Sequence, residues 1–145
     1  MHIEAFREYA LSKKATSENF PFDEVTLCLR VAGKIFAITS LDGERFTVNL
    51  KCEPDYALEL RERYPEVQSW SEGNKHWNLV DFEGGLDDKM LRHLIDHSYE
   101  QVVKSLKKSE RAALDLPSSD EYALRPFHPC WRLFHDRQAK QNKSL

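Results

Sequence analysis

Residue types suited to molecular recognition gather in two places along this chain. The stretch Asn74-Lys75-His76-Trp77-Asn78 follows a turn signal and leads into a strand. There Lys75 can contact a phosphate, Trp77 can stack on a base, and the asparagines can hydrogen-bond. The same residues also suit a structural role, with Trp77 a core anchor, His76 in a local bond and the asparagines satisfying a tight turn. Arg30, Arg45 and Lys51 make the second set, projecting together from the less apolar face of a sheet. They form either a local basic patch for nucleic acid or an acidic protein, or an ordinary solvated face.

Other constellations fall short of a site. His93 and His97 stand four apart, the spacing of two zinc ligands on a helix, but Leu94-Ile95-Asp96 between them lacks the metalloprotease glutamate. A third ligand would have to be His76, and nothing supports that placement. His97, close to Tyr99, fits better in a buried hydrogen-bonded pair that holds its helix to the sheet. His128, Cys130 and His135 form a short cluster without a fourth partner at zinc-finger spacing. Cys28 and Cys52 read as structural thiols, and no nucleophile, base and orienting group assemble around them. No glycine-rich phosphate loop is present. The expectation is a binding module rather than an enzyme, with no cofactor and no metal.

Length and composition set the frame. At 145 residues, with 41% hydrophobic and 31% charged residues, the chain suits one globular domain that needs no disulfides to fold. Three cysteines, an odd number, point to a reducing cytoplasm. No apolar run approaches the roughly 20 residues of a membrane helix, so no membrane association is expected. The net charge is −3, and residues 1–108 carry 15 basic against 19 acidic side chains. Phosphate neutralisation drives non-specific nucleic-acid binding, so any such role must use a local patch on an acidic body.

The elements that position these residues follow from periodicity. Ile3, Phe6, Ala10 and Leu11 mark an amphipathic helix. Residues 13–23 read as a loop anchored to the core by Phe20-Pro21-Phe22. Leu27, Leu29 and Val31 alternate with polar positions in a first strand. Ala32-Gly33 turns into a second strand over Lys34–Ser40, and Phe46, Val48 and Leu50 alternate in a third. A three-residue loop, Leu41-Asp42-Gly43 with Gly43 left-handed, would pair Ile38 with Phe46 and Phe36 with Val48. Helices then cover a face of Val25, Leu27, Leu29, Phe36, Ile38, Phe46 and Val48. The partly open face carries Arg30, Arg45 and Lys51. Pro54 starts a second helix that Pro65 stops. Residues 67–70 and 76–82 form two further strands around Gly73-Asn74. A long helix over residues 87–108 buries Leu91, Leu94, Ile95, Ser98, Val102 and Leu106. Beyond it, residues 109–145 form an extension with an aromatic-rich segment and a polar end.

Three stretches, Val48-Asn49-Leu50-Lys51-Cys52, Asn74-Lys75-His76-Trp77-Asn78 and Leu94-Ile95-Asp96-His97-Ser98-Tyr99, together with the meander before them, resemble the MmcQ/YjbR family of small bacterial proteins. The resemblance covers residues 1–108. It implies a two-layer α+β fold ordered α-β-β-β-α-β-β-α, an antiparallel five-stranded sheet with helices on one face, similar to secretion chaperones. It also implies a double-wing DNA-binding role, in which the Asn74–Asn78 stretch is a wing. On that basis Arg30, Arg45, Lys51, Lys75, His76, Trp77 and Asn78 are the nucleic-acid-binding candidates, with DNA as partner. The alternative is a protein-interaction module that uses the open sheet face or the C-terminal aromatics, as a chaperone would. One departure stands out: Glu53 precedes Pro54 where the family often has aspartate, a better helix cap.

Overall fold

A computed structural model describes residues 1–114 of the chain. Helix α1 (Ile3–Leu11) precedes β1 (Thr16–Asn19), β2 (Thr26–Val31), β3 (Lys34–Ser40) and β4 (Thr47–Lys51). Helix α2 (Pro54–Arg63), β5 (Val67–Ser69), β6 (Trp77–Asp81), α3 (Asp88–Ser105) and α4 (Lys108–Ala113) follow. The strands form one antiparallel sheet in the order β1-β2-β3-β4-β6-β5, with helices packed on one face. This is the expected two-layer α+β fold, with six strands rather than five.

The additional strand is β1, which lies within residues 13–23, expected to be a loop. Its residues, Thr-Ser-Glu-Asn, lack an apolar alternation because an edge strand can leave one face in water. The adjoining Phe20 and Phe22 are 47% and 69% exposed, so they do not anchor the loop to the core.

The register also departs from expectation, and its cause is a bulge. Ala32 and Gly33 turn at φ 51° and 81°, the left-handed pair a two-residue hairpin needs, and set Val31 opposite Lys34. Phe36 is then an extra residue, because Arg30 pairs with Ile35 but Leu29 pairs with Ala37. The slip turns Ile38 away from the helices and places it in a row with Cys28, Asn49, Leu79 and Gln68. Asn49 and Thr47 can therefore lie on the Ile38 side without polar residues entering the core. The three-residue loop is not needed. Residues 41–46 form a longer connection, and Gly43 does not take a left-handed conformation.

The helix-covered face buries Leu27, Leu29, Ala37, Val48, Leu50, Val67 and Val80 against Phe6, Tyr56, Leu60 and the apolar side of α3. That side includes five of the six residues expected of it, among them Ser98, a polar residue buried completely; the helix ends at Ser105 rather than at 108, so the sixth, Leu106, is buried as its C-cap. The Ser98 hydroxyl donates to Phe36 O at 2.5 Å and accepts from Lys51 N at 2.8 Å. Regular pairing of β3 with β4 is confined to Ala37–Leu50 and Ile38–Asn49, so Ser98 satisfies the backbone groups freed by the bulge. Glu53 caps α2 despite its extra methylene, accepting from Asp55 N and Tyr56 N.

Candidate functional site

Cross-strand register places the recognition candidates one by one. On the face opposite the helices, Arg30 pairs with Ser17 and Ile35, Lys51 pairs with Trp77, and Trp70 N donates to Trp77 O. Arg30, Ile35, Lys51, Trp77 and Trp70 thus form a transverse row across β2, β3, β4, β6 and the end of β5. Neighbouring strands stand about 4.8 Å apart, so Lys51 lies roughly 10 Å from Trp70 and Arg30 about as far again. Leu79, Asn49 and Ile38 form the next row, each half-buried.

The end of this face is the β5–β6 hairpin. Gly73 turns it at φ 77°, and Asn74 Oδ1 accepts from His76 N and Trp77 N at 3.0 and 2.9 Å. Asn74 is therefore a structural turn residue. Lys75 and His76 at the turn are exposed, Trp77 is half-buried, and Trp70 is 46% exposed. The two indoles meet edge to face with centroids 5.8 Å apart. Arg61 on α2 fixes the hairpin from behind. It donates to Asn78 Oδ1 at 2.6 Å and to Asn74 O at 2.7 Å.

Two sequence candidates fall outside this surface. Asn78 is only 2% exposed because its register neighbour Leu50 faces the helices, so it cannot meet a ligand on the open face. It lines a small internal cavity of about 10 Å³ with Cys52, Leu60 and His97. Arg45 sits in the 41–46 loop at the opposite end of β4 from Lys51, and its guanidinium is held at 2.8 Å by Asp81. That bond strengthens its protonated form and compensates its charge locally. Arg45 instead borders a half-open cleft of about 480 Å³ with Leu41, Phe46 and Phe82. The basic patch is thus Arg30, Lys51 and Lys75, and among the described residues none of the three forms an ion pair.

Trp70 and Arg61 were not among the expected site residues. Trp70 ends the run Val67-Gln68-Ser69-Trp70, where period-2 alternation puts it beside Gln68 on the solvent side. Arg61 carries no sequence signal, since its partners come from a hairpin 13 to 17 residues later.

The buried histidines are occupied structurally. His93 Nε2 and the Tyr56 hydroxyl lie 2.8 Å apart, and His97 Nε2 accepts from Glu53 N at 3.1 Å. Burial, with help from Lys104, pushes the His97 pKa down to about 4, so it is neutral at physiological pH. Tyr99 bonds Lys14 O, so His97 and Tyr99 tie α3 to separate segments and do not pair with each other. The Cys28 and Cys52 thiols are buried, and burial raises their pKa values above the ordinary thiol range, opposite to what a reactive cysteine requires. His128, Cys130, His135 and the C-terminal aromatics lie outside the described residues. No described helix is long and apolar enough to cross a membrane.

A family model described as YjbR matches residues 11–101. Uncharacterized protein YjbR of Escherichia coli K12 is 30% identical over 115 residues, spanning 79% of this chain and 98% of the relative. Uncharacterized protein YbdF of Escherichia coli O157:H7 is 32% identical over 94 residues, spanning 63% of this chain and 76% of the relative. A Deinococcus radiodurans crystal structure with a DUF419 domain superposes with a TM-score of 0.73 at 30% identity, covering 79% of this chain and 88% of that one. A Pseudomonas syringae protein superposes with a TM-score of 0.57 at 25% identity, covering 68% and 96%.

Proposed function

We propose, for a chain that belongs to the YjbR family, that it is a non-enzymatic module binding nucleic acid, with DNA as partner, through its open sheet face. One observation carries the reading. Arg30, Lys51, Trp77 and Trp70 fall in a single row on the side the helices leave open, and no carboxylate among the described residues ion-pairs with the cations. Lys75 and His76 extend the row at the hairpin turn. Cations supply phosphate contacts and indoles supply stacking, the two components of sequence-tolerant binding. The acidic remainder of the chain keeps the interaction local and dependent on salt.

The test is a titration of labelled DNA across a salt series. Binding should fall steeply with salt and weaken in Lys51→Ala and Lys75→Ala. Arg45→Ala should bind as wild type, because Asp81 already compensates that charge. Absence of binding at low salt would sink the proposal. A second reading, a protein-interaction module, is favoured by exposed Phe20, Phe22 and Leu41, with Leu41 N bonded to Val25 O beside the same loop. Cross-linking from a probe at Phe22 to a defined protein would support it.

A further inference from the structure

We infer that the open face takes an unpaired nucleic-acid strand rather than a duplex, with bases stacked on Trp70 and Trp77 and phosphates held by Lys51 and Arg30. The inference rests on the proposed nucleic-acid reading and names the form of its ligand.

Charge argues first. Duplex DNA presents one negative charge per about 1.7 Å of axis, and proteins bind it by neutralising many phosphates. Here the cations on this face that form no ion pair among the described residues are Arg30, Lys51 and Lys75, on a chain of net charge −3 that also exposes Glu72 at the same hairpin. Stacking does not depend on net charge, because every base has an aromatic face to offer once it leaves the helix. A face with few cations but displaying indoles therefore favours a strand whose bases are free.

Geometry argues second. The strands beneath the row are paired without interruption from β4 through β6 to β5, giving a broad sheet surface beside the hairpin. The edge-to-face indole pair leaves the faces of the edge-on ring uncovered by its neighbour. Lys51 stands directly across from Trp77, within one strand spacing of a stacked base. Arg30 continues the row in the same direction, held in place by Asn19 Oδ1 at 3.0 Å and Gly33 O at 2.8 Å. Arg61 clamps the hairpin, so the platform is organised before a ligand arrives. The core rings Phe6, Phe36 and Phe82 are buried to 1% exposure or less, whereas Trp70 on this face is 46% exposed.

The experiment follows indole fluorescence in the full chain carrying Trp131→Phe, so that Trp70 and Trp77 are the remaining tryptophans. Oligothymidylate, an abasic oligomer of equal length, and a duplex are titrated in turn. Oligothymidylate should quench the emission and bind more tightly than the other two. Trp70→Ala should weaken oligothymidylate binding roughly 5- to 100-fold without changing the salt slope, and Trp70→Phe should restore part of the loss. Lys51→Ala should instead reduce the log–log salt slope by about 0.7. A duplex bound as tightly as the single strand, with Trp70→Ala neutral, overturns the inference while leaving nucleic-acid binding intact. No binding of any probe at low salt removes both. Emission that changes with protein concentration alone would assign the face to self-association and also overturn it.

Discussion

His97 should make the fold sensitive to mild acid. It lies on α3 with 4% exposure, and its Nε2 accepts from Glu53 N, the residue that caps α2. Burial is the main cause of its depressed pKa, Lys104 adds to it and Glu53 opposes it, while Tyr56 and His93 pack against the ring at 5.2 and 6.3 Å. The folded value is about 4 against an unperturbed 6.5. The unfolded chain therefore binds the proton first, and stability is complete above pH 6.5 and falls as the pH drops toward 4. At about 1.4 kcal/mol per unit, the loss across that window is on the order of 3 kcal/mol, a large share of a small domain's stability. The assay is urea unfolding at half-unit pH steps from 7.5 to 4, for wild type and for His97→Gln, whose amide oxygen can still accept from Glu53 N. Wild type should lose stability below pH 6.5 by about 3 kcal/mol more than the variant. Carboxylates held low by partners, such as Glu18 beside Arg7, titrate in both proteins and cancel in the difference. Parallel curves for the two proteins would refute the reasoning.

Two further outcomes follow from polar groups that replace missing sheet or turn contacts. Ser98→Ala would strand Phe36 O and Lys51 N at the bulge and should cost about 2–3 kcal/mol in chemical denaturation, more than its few exchanged atoms suggest. Arg61→Ala would remove the clamp on Asn74 and leave Asn78 Oδ1 unpartnered beside an Nδ2 that has no partner among the described residues. It should cost about 2 kcal/mol and accelerate amide exchange at His76 and Trp77 before it affects α3.

Much of the fold was legible because the signals were local. Alternation marked Leu27, Leu29 and Val31, Pro54 and Asp87 marked helix starts, and the six residues expected to be buried by the long helix are buried along α3 and at its C-cap. β1 was missed because Thr-Ser-Glu-Asn carries no apolar signature, its pairing being supplied by β2. The candidate site was legible in part. Lys51, Trp77, Lys75 and Arg30 remain on or beside the open face, whereas Arg45 and Asn78 do not. Arg45 lies in the connection before β4 and pairs with Asp81, and Asn78 takes the side of β6 opposite Trp77, across from the inward-facing Leu50.

By itself the sequence determined the order of nearly every element and the identity of its buried helix faces, because capping and periodicity act within a few residues of chain. It also determined that any nucleic-acid contact must be local, since total charge is independent of conformation. Only the tertiary structure decided which polar residues share a surface. The bulge at Phe36 turned Ile38 outward, Asp81 paired with Arg45, and Arg61 reached across to the β5–β6 hairpin. Each depends on segments brought together by folding, and no local pattern records the distance between side chains whose contact is made only through the sheet.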